Sequence, residues 1–153
     1  MSYIRNNLLP DEQIIFYTQK HIIIFLYPVL LTIIAIAAYF YMQGNPILPA
    51  VSWAPMLIAL IFWAYAALEF GFSEFAVTNK RVMMREGFFT RHANEMRIQA
   101  ISQVNIEQGL LAQMLGYGTV AINAFGAFDN YTIIANPVMF QRTVNEQLDK
   151  ISR

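Results

Sequence analysis

Few residues in this sequence have the chemistry for catalysis. Cysteine is absent, which excludes disulfides, thiol nucleophiles and cysteine-ligated zinc. The two imidazoles, His21 and His92, lie far apart in the chain, and neither has a partner at a spacing that suits general acid–base work. His21 falls where a chain would meet a headgroup layer, His92 in a polar, strand-like run. Asp and Glu occur singly, without the paired spacing of metal ligands or of an acid–base dyad. Gly116-Tyr117-Gly118 lacks the longer glycine pattern and the lysine of a phosphate loop, and reads as a helix stop. The chain is therefore expected to be non-enzymatic, with no catalytic residue, metal or cofactor.

Two groups remain that could bind something. Lys80, Arg81, Arg85, Arg91 and Arg97 stand against Glu86 and Glu95, so the stretch is locally basic. Each Lys or Arg close to an anionic leaflet contributes roughly 1 kcal/mol. One reading is a topology signal on solvated strands. The other is contact with anionic lipid headgroups. The second group is aromatic: Phe88, Phe89, Phe125 and Phe128, all in turn-like stretches. Folded under, they are core; exposed, they form a membrane wedge or a partner surface.

The elements that must position these groups fall into a membrane part and a soluble part. Hydrophobic residues make up 57% of the chain and charged residues 13%, against about 45–50% and about 25% in soluble domains. The shift is local. Ile22 to Met42 carries no charge and is long enough to cross a hydrocarbon core of about 30 Å. It closes on Tyr39-Phe40-Tyr41, as an interfacial aromatic belt would. It exceeds the usual signal-peptide core and follows an acidic-containing leader, so a retained span is expected. Gln43 to Ala50 is a turn, and a second apolar run begins at Val51, with Trp53 and Pro55 at its start. The expected spans are 22–42 and 51–70, inside a membrane region of 21–72.

Lys and Arg are missing from the connecting loop but present on both flanks, at Arg5 and Lys20 before and from Lys80 onward after. The positive-inside rule then puts both termini in the cytoplasm. Glu69 at the cytoplasmic end of the second span reads as a solvated carboxylate, with a role in a small transport-complex subunit as the remote alternative. Zero net charge gives no electrostatic case for nucleic acid.

Residues 1–20 read as a cytoplasmic lead-in to the membrane. Gln13 to Thr18 is β-prone, and the alternative is an extra strand docked on the C-terminal part. That part, 73–153, opens on a hairpin. Phe75 and Val77 share a face, as do Val82 and Met84, with Arg81, Met83 and Arg85 opposite. Asn79-Lys80 makes the turn, where Asn tolerates left-handed backbone. A polar strand follows at about Arg91 to Arg97, then an alternating one from Ile101 to Gln108. Leu110 to Leu115 is a short helix stopped by Gly116, and strands follow at Thr119 to Ala124 and Tyr131 to Ala135. Asn136 as N-cap and Pro137 as first residue start a final helix, whose stripe is Phe140, Val144, Leu148 and Ile151.

Phe75-Ala-Val-Thr-Asn-Lys-Arg-Val-Met-Met-Arg-Glu-Gly87 resembles the hairpin of the bacterial pleckstrin-homology-like, membrane-flanked domain family. Ile101 to Ile122, with Leu110-Leu111 and Leu115-Gly-Tyr-Gly-Thr-Val120, resembles that family's second signature. Asp11-Glu-Gln-Ile-Ile-Phe-Tyr17 and Lys20-His21 resemble its lead into the membrane. The resemblance implies a two-sheet sandwich or partly open barrel, capped by the C-terminal helix, at the cytoplasmic face of the bacterial inner membrane. It implies no catalysis. The expected role is a protein- or peptide-binding or scaffolding module, with self-association or anionic-lipid binding as alternatives.

Overall fold

The computed structural model describes residues 3–45, 47–88, 92–124 and 126–152. In chain order the elements begin with α1 (Tyr3–Asn6), β1 (Ile14–Gln19), α2 (Leu26–Gln43), α3 (Ala54–Phe72), β2 (Glu74–Thr78) and β3 (Arg81–Glu86). They continue with β4 (His92–Arg97), β5 (Ile101–Glu107), α4 (Leu110–Leu115), β6 (Tyr117–Ala124), β7 (Ala127–Ala135) and α5 (Pro137–Ser152). Two compact units result: Ile22–Gly71, and Met1–His21 together with Phe72–Arg153.

The first unit is a pair of apolar helices. With the 3-10 turns that precede them, they run over Ile22–Gln43 and Pro49–Phe72, 22 and 24 residues, long and apolar enough to cross a membrane. Their burial pattern is the reverse of a soluble bundle. The small residues Ala35, Ala59 and Ala66 are buried, while Ile33, Ile34, Leu60 and Ile61 are exposed. Small residues at the contact let helix backbones approach closely, as in membrane helix pairs. Phe25 stacks on Trp63 at 5.7 Å between ring centroids, and Trp63 Nε1 donates to Thr32 Oγ1 at 3.0 Å. Pro28 sits in the first turn of α2, where a missing N–H breaks no helical hydrogen bond.

The second unit stacks two antiparallel sheets, ordered β1-β2-β3-β4 and β5-β6-β7. Alternation puts Phe75, Val77, Val82 and Met84 of the first sheet against Val120, Ile122, Tyr131 and Ile134 of the second. Phe140 and Val144 of α5 complete this core, with Leu148 packed at its margin and Ile151 partly exposed. Phe75 meets Tyr131 edge-on at 5.8 Å, and Phe16 meets Phe140 at 6.4 Å.

The N-terminal segment departs from the lead-in reading. β1 pairs with β2 from Ile14↔Thr78 to Gln19↔Glu74, so the docked-strand alternative describes it. α1 then covers the outer face of that sheet, with Ile4 packed on Ala76 and Met83. β2 is consequently buried on both faces, which a period-two reading of one hairpin cannot show. β7 begins earlier than the sequence indicates, and β6 starts at Tyr117.

Two asparagines behave differently from expectation. Asn79 makes its turn without a positive φ; its Oδ1 accepts from Gln13 N at 3.0 Å and its Nδ2 donates to Asp11 O at 3.1 Å. Asn136 has φ 53, whereas an N-cap residue takes extended backbone. Its N–H donates to Gly116 O at 2.9 Å, linking the start of α5 to the end of α4. Gly116 itself, at φ 77, is the left-handed cap expected of it. Gly118 is required for close approach instead: a Cβ there would lie 2.6 Å from Gln108 Cγ and 3.1 Å from Glu107 O.

Candidate binding site

The basic turn is built around Glu12, not around solvent. Thr78 Oγ1 donates to Glu12 Oε1 at 2.7 Å, and Leu9 N donates to Oε2 at 2.7 Å. Arg81 completes the set as a fork, Nε to Oε1 at 2.9 Å and Nη2 to Oε2 at 2.9 Å. Burial alone would push the Glu12 carboxyl up, but the bonds from Arg81, Leu9 and Thr78 together hold it below its ordinary value. The same Glu12 hydrogen bond is the main reason that the Arg81 guanidinium is held above its own ordinary value. Arg81 also pairs with Glu95 and donates to Asn7 O at 2.6 Å. Its side chain is 14% exposed. This bidentate pair fastens the N-terminal segment onto the β2–β3 turn.

The remaining basic candidates separate. Lys80 Nζ donates to Pro10 O at 2.8 Å and is otherwise exposed. Arg97 lies opposite Arg81 in the β3–β4 register and is exposed. Leu9, Lys80, Arg81, Glu95 and Arg97 together line a groove of about 430 Å³. Arg85 points elsewhere, its guanidinium 5.0 Å from the Tyr3 ring centroid and 5.8 Å from that of Phe72, the geometry of cation–π contacts. Arg91 lies outside the described residues. Lys20, read from the sequence as a flanking cation, is buried and paired with Glu86 at 2.6 Å.

Of the four aromatic candidates, Phe88 and Phe128 are among the described residues. Phe88 packs on Phe72 at 4.8 Å, beside Arg85. Phe128, on β7 opposite Asn123, is 61% exposed. Phe89 and Phe125 lie outside the described residues. His92 is exposed on β4, whereas His21 stacks on Tyr117 at 5.4 Å. Among the described residues, no three of His, Asp and Glu gather as metal ligands. In the core, burial pushes the Tyr131 hydroxyl up to about 12; its bond from Asn94 opposes the rise, and Asp129 and Glu86 add to it.

A more exposed surface lies on α4, apart from the basic and aromatic candidates. On α4, Leu110 is 83%, Leu111 71% and Met114 84% exposed, and Leu115 is also exposed. Only Ala112 of this helix is buried. A groove of about 440 Å³ runs beside it, walled by Leu110, Leu111, Tyr117, Gly118 and Ile133 among others. Ile133 has φ 60, rare for a β-branched residue. It falls at the β6–β7 register shift between Gly118 and Val120. The signal was in the sequence all along: no charged residue occurs from Gly109 to Gly116.

A four-stranded and a three-stranded antiparallel sheet with a C-terminal helix define a pleckstrin-homology-like fold, a binding or scaffolding module in general terms. The model of the family described as "Bacterial PH domain" matches residues 9–150, and the chain belongs to that family. The match spans β1, the helical pair and the rest of the sandwich. Among solved structures, the chain is similar to a duf1696 family protein with a pleckstrin-homology domain from Shewanella loihica PV-4. Identity is 11% and the TM-score 0.46, over 95% of this chain and 89% of that one. No curated protein matches the chain.

Proposed function

We propose that this is a non-enzymatic protein of the bacterial inner membrane, with two spans and both termini in the cytoplasm, whose PH domain holds a protein or peptide partner along β4. The membrane part is supported by the two apolar helices and by the Lys and Arg residues that flank them and are missing between them.

The observation that carries the binding part is the open strand β4. It ends its sheet, and among the described residues it is paired only with β3. His92, Ala93, Glu95 and Arg97 are exposed along it. An unpaired strand edge offers backbone N–H and C=O groups to an added strand. The charged groups around Arg81 support the same reading by their commitment: Arg81 is bonded to Glu12, Glu95 and Asn7, and so contributes to the fold before any ligand. A photocrosslinking residue placed at Ala93 in the full chain, in native membranes, should capture another polypeptide. Capture no stronger than from the exposed helix position Asn145 would refute binding along β4.

A further inference from the structure

We propose that α4 is a bilayer-interface anchor, and that Leu110, Leu111, Met114 and Leu115 insert into the apolar boundary of the membrane that the chain enters at Ile22. The inference rests on the membrane reading above and assigns a lipid contact to a surface within the PH unit.

Three observations lead there. First, the side chains of α4 face away from its own core. Leu110, Leu111 and Met114 are each more than two-thirds exposed, and the helix carries no charged residue to hold that face in water. Apolar side chains left in water on a free helix face gain by entering the headgroup–acyl boundary, where burial scales with their apolar area. Second, α4 is tied to the point where the chain leaves the unit. Tyr117, two residues beyond the helix, stacks on His21 at 5.4 Å, and His21 N donates to Ile133 O at 2.7 Å. Tyr117 and Ile133 wall the same groove as Leu110 and Leu111. The positive φ of Ile133 belongs to this junction, and strained backbone gathers at functional sites. Third, no spacer follows. His21 closes the PH unit and Ile22 begins the apolar helix, so a bilayer reached at Ile22 begins one residue from His21.

This connectivity selects lipid over the other candidates for covering α4. A second copy or a soluble peptide would have to find the face, whereas a bilayer is brought to its neighbourhood by the chain itself. Because α4 has no charge, its insertion should depend neither on anionic lipid nor on salt. Contact through Lys80 or Arg97 would weaken as salt rises.

The chain has no cysteine, so single spin labels can be placed cleanly. Leu111→Cys, Met114→Cys, Asn145→Cys and Ile34→Cys would be labelled in the full chain, reconstituted into phosphatidylcholine vesicles. Collision rates would be read with oxygen, which concentrates in lipid, and with a water-soluble nickel chelate. The expected result is that the labels at Leu111 and Met114 meet oxygen more and nickel several-fold less than the label at Asn145. Neither raised salt nor added phosphatidylglycerol should change this. Labels at Leu111 and Met114 that behave like Asn145, while Ile34 reads as lipid, overturn the anchor and leave the membrane reading standing. Labels shielded from both reagents show a covering protein surface, which also overturns it. An aqueous reading at Ile34 overturns the membrane reading and the anchor with it.

Discussion

The turn at Arg81 and the helix at Met114 differ in the two properties by which binding surfaces are sought, charge and exposure. The turn is rich in charge, and its central guanidinium is largely enclosed by Glu12, Glu95 and Asn7. The helix has no charge, and its large side chains face outward. Charge in a sequence reports that a group must be satisfied, not that it is free. Where a carboxylate such as Glu12 is buried, a nearby arginine is recruited to it, because an unpaired buried charge is costly. Exposed apolar side chains make no such internal demand and need an external environment to explain them.

The largest effect is expected at Arg81. Arg81→Ala leaves the Glu12 carboxylate buried without its fork, and is expected to destabilise the PH unit by about 3–5 kcal/mol. Denaturant unfolding of the full chain in detergent measures this. The double substitution Glu12→Leu with Arg81→Leu should recover much of the loss, since neither charge then remains. An Arg81→Ala protein that unfolds at the wild-type midpoint would show that Arg81 is a free surface cation.

Acid should act on the same region more gently. The Glu12 carboxyl titrates lower in the folded chain than its ordinary value of 4.5. The unfolded chain therefore takes up this proton first as pH falls. The associated stability is fully present above about 4.5 and is lost as pH drops through the lower folded value. Unfolding midpoints of Glu12→Gln should be lower than wild type at neutral pH and should converge with it in acid. Parallel curves across that window would place the acid sensitivity elsewhere.

The smallest effect belongs to the helix. Met114→Ser removes an apolar side chain that touches little of the fold, and should change the stability of the detergent-solubilised chain by less than about 0.5 kcal/mol. A loss of several times that size would mean that α4 is packed in solution, and the contrast with Arg81 would fall.

Much of the architecture is legible before folding because it rests on local periodicity. The two apolar runs, the alternation of Phe75, Val77, Val82 and Met84, the stop at Gly116 and the stripe of Phe140, Val144 and Leu148 are each set by near neighbours in the chain. The resemblance to PH-like domains follows from the same motifs and their order, and residues 9–150 match that family. The contacts between distant segments were less legible. Arg81 and Glu12 are separated by 69 positions, and nothing local shows that they form one ion pair. Ile4 and Met83 likewise meet only across the fold.

The sequence by itself determined most of the elements, the two lipid-length helices and the family, because hydrophobic pattern and turn chemistry act over a few residues. Only the tertiary structure decided which charges are already partnered, that residues 14–19 complete the first sheet, and that α4 turns Leu111 and Met114 outward, with Tyr117 just beyond it stacked on His21. Those outcomes depend on burial and on pairing between distant segments. A side chain's availability is fixed by what surrounds it after folding, and that is not a property of its neighbours in sequence.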